Sequence, residues 1–405
     1  MQYMKVKEAA QIWGVTPRRV QDLCKQGLIP GAQRWERNWM VPVNAEYPGR
    51  QTANSRPAMP RKSPLLSMTN LYHTPGCAAA ALEELNDYPA AKAQMEAEIA
   101  YYRGQIDTVY ASANFFLHNH TGFYSVLGPG MLLSLCAMWR GDADLWRKAN
   151  THICEAVCQD EDDRNLMEIA LAASKLSIRT LKDFPRWFIK GKFGCLPADA
   201  HPGAKVYYTK CLMIYAQELA LQNVSHDHVK GRGLFAMLHN TFEPLIVQAQ
   251  VDKTVIPEIH LRLICAVAYQ NSGDIPSAVE HIDEAIALAL PDRLLGLLAE
   301  YRRLLGNLLD DRLALQDPEA LQQLKQLHKQ LQEGWTKLHN AVNEKTVSST
   351  LSVREREVAR LAAFGYSDQE IADQLGLSKT TIKSLISMAK NKTGALKRAE
   401  LAAFI

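Results

Sequence analysis

Several absences narrow what this chain can be. The phosphate-gripping pattern G-x-x-x-x-G-K-[ST] occurs nowhere in its 405 residues, so switching driven by nucleotide hydrolysis is not expected. The eight cysteines follow no framework of short spacings. Their one close group, His152, Cys154 and Cys158 in "HICEAVC", has no second pair to complete a tetrahedral metal site. They read as free core thiols of a reducing cytoplasm, and no secretory leader opens the chain to argue otherwise. Long apolar runs are missing too. The charge-free stretch from Thr108 to Trp139 comes nearest, and "HNHTG" and "GPG" are expected to divide it into pieces too short to cross a bilayer. Histidines and carboxylates are dispersed, and "HNH" at 118 and "HDH" at 226 lack the further ligands or strand context of a metal nuclease. The expectation is a cytoplasmic protein that is not an enzyme, does not enter membranes, and has no catalytic residue, metal ligand or cofactor.

What is present is a globular composition with unevenly placed charge. A chain of 405 residues, 47% of them hydrophobic, is long enough for two or three domains with a sizeable core. Residues 1–62 hold 11 Lys and Arg against 4 acids, a charge of +7, and residues 346–405 hold 9 against 6, a charge of +3. The remainder carries −7. Basic ends around an acidic middle suit two polyanion-binding modules joined by a body that repels polyanions.

The two ends also share a pattern. "EAAQIWGVTPRRVQDL" at residue 8 and "EIADQLGLSKTTIKSL" at residue 370 align with a constant offset of 362 residues, pairing Ala10 with Ala372, Gly14 with Gly376, Val15 with Leu377, Val20 with Ile382 and Leu23 with Leu385. A helix-turn-helix needs a small residue where its helices cross, a Gly at the turn and apolar residues holding the second helix to the first. Thr16 and Ser378 stand at the N-cap of each second helix, and Pro17 follows at a first helical position. In the C-terminal unit, Ser352 with Glu355 and Ser367 with Glu370 have capping-box spacing, and Gly365 and Gly376 mark helix ends. Its second helix, running to about Lys392, buries Ile382, Leu385 and Ile386. The opposite face offers Ser378, Lys379, Thr380, Thr381, Lys383, Ser384 and Ser387, with Lys390 and Lys392 near the end. Short hydroxyls mixed with lysines suit phosphates and base edges in a major groove. In the N-terminal unit the corresponding helix presents Thr16, Arg18, Arg19, Gln21 and Lys25. "QGLIPGAQRWERNWMVP" then reads as a hairpin with Trp35, Trp39 and Val41 as alternating bulk and Arg34, Arg37 and Asn38 at or near a polar tip.

Between the ends, residues 47–64 are rich in Pro, basic and small polar residues and read as a linker. Residues 65–345 are helical in pattern, with weak self-similarity in "AEIAYYRGQID", "LCAMWRGDAD" and "AVAYQNSGDIPSAVEHIDEAI", where an apolar helix runs into Gly and a polar residue. Gly104 and Gly141 are 37 residues apart, near the roughly 34-residue period of tetratricopeptide hairpins. Ala278 and Ala285 supply small residues for close packing. Residues 317–342 form a polar helix whose leucine stripe, 321, 324, 327 and 331, reads either as a final packed helix or as a dimerising one.

Through "LSVREREV", "GYSDQEIADQLGLS", "TIK" and "RAEL", residues 346–405 resemble the LuxR/NarL-type DNA-binding domain. That resemblance implies a four-helix fold, Thr381 and Lys383 facing DNA, and Glu357 bracing the domain. Residues 1–46 resemble the excisionase/MerR-like winged helix-turn-helix, which implies a wing reaching the DNA backbone or minor groove. The middle is similar to the tetratricopeptide-like sensor of MalT-like regulators. The fold class expected is therefore mainly α: a winged helix-turn-helix (1–46), a linker (47–64), a tetratricopeptide-like array (65–345) and a LuxR-type helix-turn-helix (346–405). Function follows as that of a bacterial transcription regulator binding double-stranded DNA, with RNA polymerase, a small-molecule or peptide ligand of the array and a second copy of the chain as further partners. Two rivals are a helical-repeat adaptor whose end modules dock proteins and an excisionase-like architectural DNA-binding protein.

Overall fold

The computed structural model describes residues 3–13, 15–25, 29, 31–35, 38–43, 45, 65–119, 122–180, 201–222, 228–344, 351–393 and 395–405. The linker expected at 47–64 lies wholly outside them. The chain divides into two compact units, Met1–Arg61 and Lys62–Ile405.

The first unit runs β1 (Tyr3–Lys5), α1 (Val6–Trp13), α2 (Pro17–Lys25), β2 (Gln33–Trp35) and β3 (Asn38–Pro42). Its antiparallel sheet has the order β1-β3-β2, with Tyr3 opposite Pro42, Gln33 opposite Met40 and Trp35 opposite Asn38. Both helices turn their apolar faces onto the sheet, burying Ala9, Ala10, Val20 and Leu23 with Met4 and Val41. The expected hairpin is present, and its tip falls between Trp35 and Asn38. Trp35, however, supplies no bulk to the core: it is 67% exposed. All three residues of this edge strand are exposed, and the buried bulk comes from Val41 of β3, opposite Met4 of β1.

The second unit is helical: α3 (Ala78–Glu83), α4 (Pro89–Tyr102), α5 (Ile106–Asn119), α6 (Phe123–Arg140), α7 (Ala143–Glu155), α8 (Glu161–Ser177), α9 (Pro202–Gln222), α10 (His228–Val251), α11 (Val255–Ser272), α12 (Ile275–Ala289), α13 (Leu295–Leu305), α14 (Asn307–Gln316), α15 (Pro318–Asn343), α16 (Val353–Ala363), α17 (Asp368–Leu375) and α18 (Lys379–Thr393), closed by a 3-10 turn at Arg398–Phe404. The three glycine junctions seen in the sequence all connect packed neighbours: α4 with α5, α6 with α7, and α11 with α12. Gly104, Gly141 and Gly273 adopt φ of 81°, 69° and 95° there, which costs glycine least. Ala278 and Ala285 of α12 are fully buried, as their size suggested. The "GPG" at 128–130 does not break the chain, because it lies within α6. Gly130 is needed for contact instead: a Cβ there would come within 2.9 Å of Ile153 on α7. No helix among the described residues is long and apolar enough to cross a membrane.

The leucine-striped helix α15 is packed rather than free. Leu324, Leu331 and Leu338 are buried, and α15 lies against α6 and α13. Gly334 lets its backbone approach α6 so closely that a Cβ would sit 2.1 Å from the Trp139 carbonyl oxygen.

Candidate nucleic-acid interface

The last three helices are set by local chemistry before any packing. Ser352 Oγ accepts from the Glu355 N–H at 3.2 Å while Glu355 Oε2 accepts from the Ser352 N–H at 2.7 Å. Ser367 and Glu370 repeat this reciprocal cap at 3.3 and 2.7 Å. Gly376 ends α17 at φ 62°, and Ser378 Oγ accepts from the Thr381 N–H at 3.0 Å to start α18. Ile382, Ile386 and Ala389 turn inward, and Leu385 is half-buried.

This leaves one face of α18 in solvent. Lys379, Thr380, Thr381, Lys383, Ser384 and Ser387 are all exposed. Met388 and Asn391, which the sequence pattern does not single out, share that exposure. The far end is different. Lys390 is half-buried, and Lys392 Nζ lies 2.8 Å from Glu355 Oε2, tying α18 to α16. Burial opposes ionisation of Glu355, but Lys392 and the Ser352 bonds outweigh it and hold the carboxyl below its ordinary range.

The back of this segment is anchored to the preceding helices. Phe364 packs near Phe235 with ring centroids 5.6 Å apart. Tyr366 Oη donates to the Asn271 carbonyl, Arg360 to the Leu304 carbonyl, and Gln374 Nε2 to the Gln270 carbonyl at 2.6 Å. Glu357 is buried and does brace, though toward the body as much as within its own segment. It accepts from Arg354 at 2.9 Å and from Gln270 at 3.3 Å, and it lies against the Gly306 turn.

The N-terminal counterpart repeats local geometry at the same offset. The Val15 N–H donates to the Ala10 carbonyl at 3.0 Å, and the Leu377 N–H donates to the Ala372 carbonyl at 3.0 Å. Val20 to Thr16 (3.3 Å) matches Ile382 to Ser378 (3.1 Å). Lys5 N–H to Glu8 Oε2 (2.9 Å) matches Ser367 N–H to Glu370 Oε2 (2.7 Å). The expected residues Thr16, Arg18, Gln21 and Lys25 are exposed on or beside α2, and Arg34 and Asn38 are exposed on the hairpin. Lys25 sits 3.9 Å from Asp22 on the same helix. Arg37 and the side chain of Arg19 lie outside the described residues.

Elsewhere among the described residues, one set of side chains could hold a metal: Glu243 of α10, Cys265 of α11 and His281 of α12, with ligand atoms within 4.8 Å of one another. Glu243 Oε1 is already shared by Tyr269 Oη at 2.8 Å and His281 Nε2 at 3.0 Å, which accounts for the grouping as a half-buried hydrogen-bond network. Among the described residues no such set includes Cys154 or Cys158.

Compared with known proteins, residues 349–405 match the profile of the bacterial regulatory proteins, luxR family. No curated protein and no solved structure matches the chain. The matched segment is the α16–α18 unit with its terminal turn, so the chain carries a LuxR-type DNA-binding helix-turn-helix, which points to a transcription regulator rather than an enzyme.

Proposed function

We propose that the protein is a sequence-specific transcription regulator of a bacterium that reads double-stranded DNA through the exposed face of α18. The observation carrying this reading is the solvent-facing row Lys379, Thr380, Lys383, Ser384 and Ser387 on the second helix of a segment matching a DNA-binding family. Lysines give affinity through phosphates, and the hydroxyls between them reach base edges. The hydrogen bonds repeated at α1 and α2, with Arg18 and Gln21 exposed beside them, support a second reading head near the N-terminus, of the winged helix-turn-helix kind. The intervening helices serve as a tetratricopeptide-like sensing or assembly body. Action as a cytoplasmic homodimer that addresses RNA polymerase completes the proposal.

The test is salt-dependent binding of the full chain to sites selected from a random duplex pool. Lys383→Ala should preserve the fold and lower the slope of log affinity against log salt by about 0.9 if it touches a phosphate. If Lys383 instead reads a guanine, the loss is about 1–3 kcal/mol at one operator position. A full chain that selects no duplex at low salt refutes the reading.

A further inference from the structure

Where the helical body meets α16 there is a cleft of about 310 Å³, at the lower end of the size range for small-molecule sites. Its walls come from α13, α15 and α16, and they hold Arg302, Arg303, Lys325, Lys329 and Arg356 against one carboxylate, Glu333. Arg302 is neutralised by a two-pronged pair with Asp310, both bonds 2.7 Å. Lys325 and Lys329 are exposed one turn apart on α15. The Arg303 guanidinium lies over the Trp335 ring, 3.3 Å from its centroid.

Arg356 is the residue that makes this a built site. It is 7% exposed, its Nη1 donates to the neutral Gln332 Oε1 at 2.6 Å, and its Nε is buried without a hydrogen-bond partner. A guanidinium in that state lacks a counter-charge, and a buried cation is costly until one is supplied. Burial, with Arg302 next, pushes His328 in the wall down to about 3. Burial and then Arg179 push Arg356 down to about 10.

We propose that this cleft binds a small phosphorylated molecule, its phosphate oxygens spanning Arg303 and Lys329 of the body and Arg356 of α16. Guanidinium forks and ammonium groups converging from three helices fit a compact multivalent anion better than an uncharged sugar or a peptide. Because α16 belongs to the DNA-binding segment, the ligand would clamp that segment to the body. This deepens the reading above and depends on it for biological meaning, whereas the binding site itself stands without DNA.

The experiment is titration calorimetry of the full chain with inorganic pyrophosphate, ionic strength held constant with sodium chloride and no DNA present. Saturable one-to-one binding is expected, weakened by roughly tenfold or more in the doubly substituted Lys325→Gln, Lys329→Gln protein. Both lysines are exposed, so that protein should fold like the parent, as circular dichroism would verify. Exchange of α16 amide hydrogens should slow when pyrophosphate is added. The absence of saturable binding at millimolar pyrophosphate, equal affinity in the double variant, or unchanged α16 exchange at saturation would each overturn the proposal. A final arm adds excess short duplex. Pyrophosphate affinity within twofold of the original supports a small-molecule site, and competition by the duplex overturns it in favour of the DNA backbone. A failure of DNA selection with intact pyrophosphate binding would refute only the regulator reading.

Discussion

The turn at Gly306 offers a sharp test of how the DNA-binding segment is held. Gly306 joins α13 to α14 with φ 63° and ψ −138°, backbone space open in practice to glycine alone. A Cβ there would lie 3.0 Å from both Cδ and Oε1 of Glu357. That carboxylate cannot retreat freely, because Arg354 and Gln270 both donate to it. Gly306→Ala therefore adds backbone strain of about 1–3 kcal/mol to displacement of a buried, bonded carboxylate, about 1–2 kcal/mol more. Only the second cost is relieved when α16 leaves, because the strained turn stays in the body, so release of α16 is favoured by roughly 0.7 to 1.5 powers of ten. Gly376→Ala is the control. It has φ 62° and ψ 34° with open space around its Cβ, so its cost is about 1–2 kcal/mol of backbone strain with no contact to the body. Hydrogen exchange followed by mass spectrometry reads the difference: amides of α16 should exchange far faster in Gly306→Ala than in Gly376→Ala. Equal α16 exchange in the two variants would refute the claim that the Gly306–Glu357 approach holds this segment.

Three further outcomes are expected. Leu23→Ala empties a fully buried position at a cost of about 2–5 kcal/mol, enough to unfold a small unit, so calorimetry should show an N-terminal transition vanish while that of residues 62–405 remains. Lys392→Gln should destabilise the C-terminal helices by about 1 kcal/mol in denaturant titrations by leaving Glu355 without its ammonium partner, whereas Lys383→Gln should leave stability unchanged. Burial raises the Glu357 carboxyl above its ordinary range despite Arg354 and Arg360 beside it. An acid so shifted holds its proton longer when folded, so stability falls as pH climbs from the ordinary glutamate value to the raised one, and Glu357→Gln should flatten that interval of the stability profile.

Local features were the legible ones. The capping boxes at Ser352 and Ser367, the turn at Gly376 and the outward row on α18 follow from spacing alone, because their bonds close within three or four residues. Reach across the chain left no such trace. Nothing near Tyr366 or Arg360 in sequence announces that their hydrogen bonds end on Asn271 and Leu304, and nothing near Lys392 announces its pairing with Glu355, 37 residues away. Glycine was ambiguous for the same reason: "GPG" has the composition of a break, but Gly130 serves a neighbouring helix. Regional charge hides local gathering. Within a body of net −7, folding still gathers Arg302, Arg303, Lys325 and Lys329 around one cleft, beside Arg356.

That gathering bears on how a signal could act. A ligand shifts a conformational equilibrium only by the difference in its affinity for the two states. One bound wholly within the body would touch the same groups whether α16 is docked or released, and would shift nothing between them. The basic cleft is different in kind, because one of its cations, Arg356, is carried by α16 itself. Release of α16 removes that contact, so any anion relying on it favours the docked state by about 1.4 kcal/mol for each tenfold of affinity lost. α18 moves with α16, to which it is packed and tied through Lys392 and Glu355. The docked state therefore fixes where the row from Lys379 to Ser387 points relative to the body.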